Sequence, residues 1–315
     1  MATYLVTGGA GFIGSHVVDG LVERGDDVRV LDDFSTGNSE NLSHIASRVE
    51  IVEGDICDPG IVKSAISDVE YVIHQAALAS VPRSIEDPIS TDRVNVQGTL
   101  NLLNAARNVS VKCFVYASSS SAYGDSEKLP KVETMTPNPL SPYAVSKLTG
   151  EMYCCSFSEV YGLPTVSLRY FNVFGPRQDP NSQYAAVIPI FIKKLTEKQA
   201  PTIFGDGEQS RDFTYIDNVV RANLLACDGR TTGGKVYNVA CGDRFTLNDL
   251  YKRLQTLMGV DVEVKYAAAR PGDVKHSQAS IDALRKDLGF DITMDFEEGL
   301  KRTVEWYQKV GFANA

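Results

Sequence analysis

The sequence predicts an α/β fold, a doubly wound parallel sheet with a smaller α/β lobe attached. Three observations lead there. Short apolar runs alternate with helix-length amphipathic stretches through the first half of the chain, the first run ends in a cluster of glycines that opens a helix, and beyond Phe171 the alternation gives way to segments rich in Gly, Pro, Asn and Asp.

The apolar runs fall at residues 4–7, 28–31, 71–74 and 113–117, each bounded by turn residues. Runs that short with little alternation are buried on both faces, and a parallel sheet covered by helical crossovers is the architecture that buries them so. The smaller lobe is expected from the polar stretches at 175–184 and 269–278. The expected division is a sheet domain over 1–171 and a lobe over 172–315. The sheet domain is rejoined at about 212–243, where Val219, Val220 and Leu224 have helical spacing.

Composition narrows the function. At 315 residues and 43% hydrophobic, the chain buries a sizeable core. A net charge of -9 argues against nucleic-acid binding, because displacing counterions from a phosphate backbone needs a basic face. Six cysteines without a C-x-x-C pair, and four histidines, suggest neither a disulfide framework nor a metal site, and fit a reducing cytoplasm. Met1 runs straight into the first strand without a charged leader or a long apolar segment, which argues against secretion and membrane spanning.

After the first strand comes T-G-G-A-G-F-I-G, with Gly8, Gly11 and Gly14 spaced G-x-x-G-x-x-G and a helix opening at about Phe12 and Ile13. A tight strand-to-helix turn needs positive φ, the backbone must approach a pyrophosphate closely, and the helix N-terminus offers its free N–H groups to the anion. A Rossmann-type dinucleotide site is therefore expected here. Asp32 ends the next strand, where its carboxylate accepts the ribose hydroxyls and repels a 2′-phosphate, so NAD is expected rather than NADP. Asp33 reinforces that preference or is a solvated strand-end acid. Asp55 and Ile56, in the Gly54-Asp55-Ile56 turn, are candidate adenine contacts.

Tyr143 and Lys147 are four residues apart, so a helix sets both on one face, and Ser141-Pro142 supplies an N-cap and a first helical position just before them. A phenol titrates near pH 10 unless perturbed. The expectation is that the Lys147 ammonium and an oxidised nicotinamide together lower it, so that Tyr143 takes a proton from a substrate hydroxyl as hydride leaves.

The glycine turn, the serine cluster A-S-S-S-S-A-Y-G and the segment P-Y-A-V-S-K together resemble the extended short-chain dehydrogenase/reductases over almost the whole chain. The resemblance implies that Ser119 helps hold the reacting hydroxyl. It places further cofactor contacts on Gln75, Ala76 and Ala77 of H-Q-A-A, on Asn95 of N-V-Q-G-T and on Tyr170 of R-Y-F-N, and a substrate contact on Asn172. Ser118 is read as a strand terminator that bonds its own backbone. Ser120 and Ser121 stand where the 4,6-dehydratases of this family carry Asp and Glu, and where decarboxylases carry Glu. With hydroxyls there, proton transfer beyond C4 lacks its catalyst, and the serine-rich form is similar to that of UDP-N-acetylhexosamine and UDP-glucuronate 4-epimerases.

The second half resembles the UDP-binding elements of the same family. By that resemblance Val187 and Phe204 flank the uracil, Arg211 and Arg270 pair with the diphosphate, and Asp273 binds the uridine ribose. Ser80 and Arg83 shape the sugar pocket. Ser277 is small where related epimerases carry a tyrosine, and position 79 is Ala where hexose-specific relatives carry a lysine; both leave room for a 2-acetamido group. The implied activity is interconversion of UDP-N-acetylglucosamine and UDP-N-acetylgalactosamine, with room for UDP-glucose and UDP-galactose as well; the alternatives are a UDP-glucose or a UDP-glucuronate 4-epimerase and, in a different class, a non-catalytic NAD-binding sensor on the same fold. A homodimer is implied as well, and Leu100, Leu103, Leu148 and Met152 suit either its seam or the internal core.

Overall fold

The computed structural model describes residues 1–181, 186–229, 233–269 and 274–311. The sheet begins with β1 (Thr3–Thr7), β2 (Asp27–Asp32), β3 (Val49–Glu53), β4 (Tyr71–His74), β5 (Cys113–Ser119) and β6 (Thr165–Tyr170). Four short strands follow, β7 (Val173–Phe174), β8 (Thr202–Phe204), β9 (Ser210–Arg211) and β10 (Thr214–Tyr215), before β11 (Lys235–Val239) returns to pair with β6. Among the described residues the main sheet has seven parallel strands in the order β11-β6-β5-β4-β1-β2-β3.

Successive side chains along each strand go to opposite faces, and in β1, β4, β5 and β6 both faces are buried, whereas the edge strand β3 is partly exposed. Tyr4, Val6, Val30, Ile73 and Val115 meet Val17, Val18 and Leu21 of α1 (Phe12–Arg24) on one side. Leu5, Leu31, Val72, Phe114 and Tyr116 point to the other. That second face is covered in part from α2 (Pro59–Ala65), and two short helices, α3 (Val81–Glu86) and α4 (Pro88–Asp92), lead through one π turn at Arg93–Gly98 into α5 (Thr99–Val109) and then α6 (Pro142–Tyr161). Each fully buried aliphatic side chain contributes roughly 1.5–3 kcal/mol by leaving water, which explains why the strands read as near-continuous apolar runs.

Helix α6 starts as its sequence dictates. Ser141 Oγ accepts the Ala144 N–H at 3.1 Å, Pro142 occupies the first turn, and Gly162 ends the helix at φ 68°. After α7 (Val187–Thr196) the chain returns to the sheet with α8 (Ile216–Asp228), which packs against α1 on its first face. Next come β12 (Phe245–Thr246), α9 (Leu247–Met258), β13 (Lys265–Ala267), α10 (Asp282–Leu288) and α11 (Phe296–Val310). An aromatic joint ties the lobe together: Phe296 stacks on Phe245 with ring centroids 4.2 Å apart and on Phe213 at 5.4 Å, and Phe174 meets Phe213 and Phe296 edge-on. No helix of the described residues is long and apolar enough to cross a membrane.

Candidate active site

The strand order reverses between β1 and β4, and a crevice opens there beyond the carboxyl ends of the strands. It holds a groove of about 420 Å³ whose lining runs from Gly8, Gly11, Phe12, Ile13 and Gly14 through Asp32 and Asp33 to Tyr143, Lys147 and Tyr170. The residues fit a dinucleotide. A Cβ on Gly8, at φ 68°, would lie 2.6 Å from the Ala76 nitrogen, and one on Gly14 would lie 2.0 Å from the Gly8 carbonyl oxygen, so the turn closes only with bare backbone. Gly11 caps α1 without any side-chain hydrogen bond, which leaves the first-turn N–H groups for an anion.

Asp32 is buried at the end of β2, where its two oxygens accept the N–H groups of Ala10 and Phe34, each at 2.9 Å. Burial raises its pKa while those donors lower it. Asp33 also lines the groove, although its carboxylate accepts the Ser35 N–H and hydroxyl, the local turn expected of a strand-end acid. Asp55 lines the groove and pairs with Arg93 at 3.2 Å; Ile56, also in the lining, packs against Gly98. Gln75 donates to the Tyr170 hydroxyl at 2.9 Å and to Asn223 Oδ1 at 3.1 Å, which fixes the wall that Ala76, Ala77 and Tyr170 share. Asn95 is placed differently from the expectation. It is buried beneath the groove, with Oδ1 accepting the Leu78 N–H at 2.8 Å and Nδ2 donating to the Leu78 carbonyl and to Ser146 Oγ, so it braces the 75–79 wall from behind.

At the reacting end, Tyr143 and Lys147 share one face of α6 as their spacing requires, and both line the groove. Lys147 Nζ donates to the Ala117 carbonyl at 2.8 Å and lies 5.1 Å from the centre of the Tyr116 ring. Burial lowers its pKa to about 8. Burial raises the Tyr143 phenol, and the neighbouring Ser119 hydroxyl, by hydrogen bonding, lowers it. Ser119 ends β5, where its Oγ accepts the Ser121 N–H and the Ser121 hydroxyl at 2.9 Å; Ser120 follows in the same short turn.

Two buried networks escaped the sequence reading. Ser118 does not bond its own backbone: its hydroxyl donates to Glu151, which stands four residues beyond Lys147 on α6 and holds Arg169 of β6 through two bonds of 2.8 Å. The spacing Tyr143, Lys147, Glu151 was the available signal, since an acid on that buried face demands a cation. The second network centres on His74. The Thr99 hydroxyl donates to the Asn95 carbonyl at 2.6 Å, so its oxygen receives the His74 Nε2–H at 2.9 Å; Nδ1 then accepts the Thr7 hydroxyl at 2.7 Å. Burial and the Lys147 charge push His74 down to about 3, which keeps the ring neutral.

A second cavity, of about 490 Å³, lies in the smaller lobe and is lined by Asn172, Val187, Phe204, Gln209 and Arg211 among others. Residues 170–172 link the two, since Tyr170 lines the groove and Asn172 the lobe cavity. Ser277 lines neither, but its Oγ receives Asn172 Nδ2 at 3.1 Å. Arg83 lines the groove beside Ala79, and Ser80 caps α3 by accepting the Arg83 N–H. Arg270 and Asp273 lie outside the described residues. Of the apolar positions suited to a seam or a core, Leu103 is fully buried, Leu100 and Leu148 are half-buried, and Met152 is 56% exposed.

A family model described as NAD dependent epimerase/dehydratase matches residues 4–240. A putative UDP-glucose 4-epimerase of Methanocaldococcus jannaschii is 42% identical over 304 residues, which covers 96% of this chain and 97% of that one. Among solved structures, a UDP-N-acetylglucosamine 4-epimerase from Methanobrevibacter ruminantium, in complex with UDP-N-acetylmuramic acid, superposes with a TM-score of 0.94 at 42% identity, covering 98% of each chain. A UDP-glucose 4-epimerase from Thermotoga maritima, with UDP-glucose, gives 0.93 at 42% identity, covering 98% of this chain and 99% of that one. With relatives this similar along their whole length, and a family match spanning most of the sequence, the chain belongs to the NAD-dependent epimerase/dehydratase family and uses NAD as its cofactor.

Proposed function

We propose that the protein is a UDP-sugar 4-epimerase, and that its substrates are UDP-N-acetylglucosamine and UDP-N-acetylgalactosamine. The observation that carries the epimerase reading is the absence of a spare acid or base at the reacting end. Among the described residues, the carboxylates lining the groove are Asp32, Asp33 and Asp55, at the end of β2 or in the turns that follow β2 and β3, whereas the Tyr143 phenol is hydrogen-bonded by the Ser119 hydroxyl. Elimination or decarboxylation needs a further proton-transfer group beside the sugar, and inversion at C4 does not. The acetamido preference rests on small side chains at Ala79 and Ser277.

The chain's own residues then divide the work. Gly8, Gly11, Gly14 and Asp32 would hold NAD, which when bound would supply a hydride acceptor and a positive charge. Tyr143 Oη takes the proton from sugar O4 and later returns it, Ser119 Oγ orients that hydroxyl, and Lys147, anchored on the Ala117 carbonyl, keeps a positive charge in the reacting end. Inversion at C4 requires the sugar to present either face, so binding energy belongs on the UDP contacts of Val187, Phe204, Arg211, Arg270 and Asp273, with the sugar held loosely. Two subunits pair through α5 and α6, where Val145 and Met152, seven residues apart, are 49% and 56% exposed.

The test is incubation of the purified enzyme, checked by sedimentation for a dimer, with each UDP-sugar in turn, the products being resolved by NMR. UDP-N-acetylglucosamine should give UDP-N-acetylgalactosamine without free NADH, and Tyr143→Phe should slow this about 10²–10⁴-fold. Turnover confined to UDP-glucose or UDP-glucuronate rejects the acetamido assignment, and loss of C6 as CO₂, or loss of the C6 hydroxyl as water, rejects epimerisation.

A further inference from the structure

Asp212 is a carboxylate that the chemistry above does not use, yet it is fully buried where the smaller lobe meets the sheet. Its Oδ1 accepts the Cys241 N–H at 2.9 Å, and its Oδ2 accepts the N–H groups of Gly242 at 3.0 Å and Ala279 at 3.1 Å. Those donors come from two segments. Residues 240–242 continue directly from β11, whereas residues 276–279 belong to the lobe and run beside β9 through the Ser210–His276 bridge. The backbone of Asp212 serves the opposite side: its carbonyl accepts Asn172 Nδ2 at 3.1 Å, and its N–H reaches Ser277 Oγ at 3.4 Å. Arg211, which lines the lobe cavity, is its immediate neighbour.

One residue thus touches, or adjoins, three side chains assigned to the nucleotide sugar, while its own side chain faces away from the cavity into peptide N–H groups. Burial pushes the carboxyl up to about 7, and the three donors are what favour its ionised form. Hydrogen bonds to an ionised acceptor are about twice as strong as neutral ones, and removing the acceptor would leave three buried donors unpaired. We propose that Asp212 is the positioning residue of the nucleotide-sugar pocket, clamping residues 240–242 to 276–279 so that Arg211 and Asn172, the latter held by Ser277, present one fixed surface to the ligand. This rests on reading the lobe cavity as the UDP-sugar site.

Asp212→Asn keeps the shape but offers one acceptor oxygen and turns an NH₂ group toward the peptide donors. UDP binding by calorimetry, kinetics with UDP-N-acetylglucosamine and NAD content are measured for both holoenzymes. The variant should weaken UDP binding and raise KM at least tenfold, with kcat within threefold of the parent and NAD content unchanged. A lower Tm with unchanged UDP affinity and KM would reduce Asp212 to a structural staple and overturn the proposal, as would a fall in kcat and NAD content at unchanged KM. If the parent enzyme itself ignores UDP, the ligand assignment fails and not the clamp. Should the variant not fold, hydrogen exchange on the parent decides. UDP should slow the amides of Cys241, Gly242 and Ala279 together by at least tenfold, and no change there overturns the clamp.

Discussion

Lys147 is held in a place that disfavours its charge. Its ammonium has left water for a site where the Ala117 carbonyl is its hydrogen-bond acceptor, and its pKa falls to about 8. The sign follows from linkage. An unfolded lysine titrates near 10.4, so between about 8 and 10.4 the unfolded chain binds more protons and the fold gains stability as pH rises; below about 8 the full desolvation cost applies. That cost is about 3 kcal/mol at about 1.4 kcal/mol per pKa unit. Replacing Lys147 by Met removes it and orphans one carbonyl worth ~1 kcal/mol, so Lys147→Met should be more stable at pH 7 by roughly 2 kcal/mol while losing turnover. Urea unfolding at pH 7 and pH 9.5 checks this: the variant's advantage should shrink at the higher pH, and a variant less stable at both would contradict the account.

The turn between β1 and α1 is the element on which cofactor binding depends, and its tolerance is set by backbone contact. The Gly8 carbonyl oxygen occupies the space a Gly14 side chain would need, 2.0 Å away, and nothing flexible can yield there. Gly14→Ala should therefore open the turn, with an overpacking cost of about 1–3 kcal/mol and loss of most bound NAD, read from the absorbance of the purified protein. Normal NAD content in that variant would show that the turn relaxes without harm. Elements of this kind were legible in advance. The glycine spacing and the Ser141-Pro142 start of α6 are local signals, and the helix begins where they say. The π turn at Arg93–Gly98 was not legible, because it is stabilised by Asn95 reaching across to Leu78 and Ser146 rather than by anything within its own six residues.

Across the whole molecule, acid sensitivity should follow from histidines buried in the neutral form. His74 is held down to about 3 against an unfolded value near 6.5. A neutral buried histidine contributes stability that is fully present above about 6.5 and is lost as pH falls toward 3, because the unfolded chain takes up the proton first. His74→Gln has no such titration, so the stability difference between parent and variant should narrow by about 1.4 kcal/mol per pH unit below 6.5. Denaturant curves at pH 7, 6 and 5 measure it, and a difference independent of pH would refute it. The lobe was the least legible region of the chain. Its short strands β7 to β10 carry two or three residues each, too few for periodicity, and they form because Phe174, Phe213, Phe245 and Phe296 gather from four distant segments.

The sequence by itself determined the parallel sheet, the dinucleotide turn, the first turns of α6 with Tyr143 and Lys147, and the preference for NAD, because each depends on residues adjacent in the chain or one helical turn apart. Only the tertiary structure decided the state of those groups. The Lys147 contact with Ala117, the Ser118–Glu151–Arg169 network, the neutral tautomer of His74 and the clamp at Asp212 all join segments between 18 and 67 residues apart. Burial at such junctions sets whether a group is charged, and burial is a property of the assembled fold.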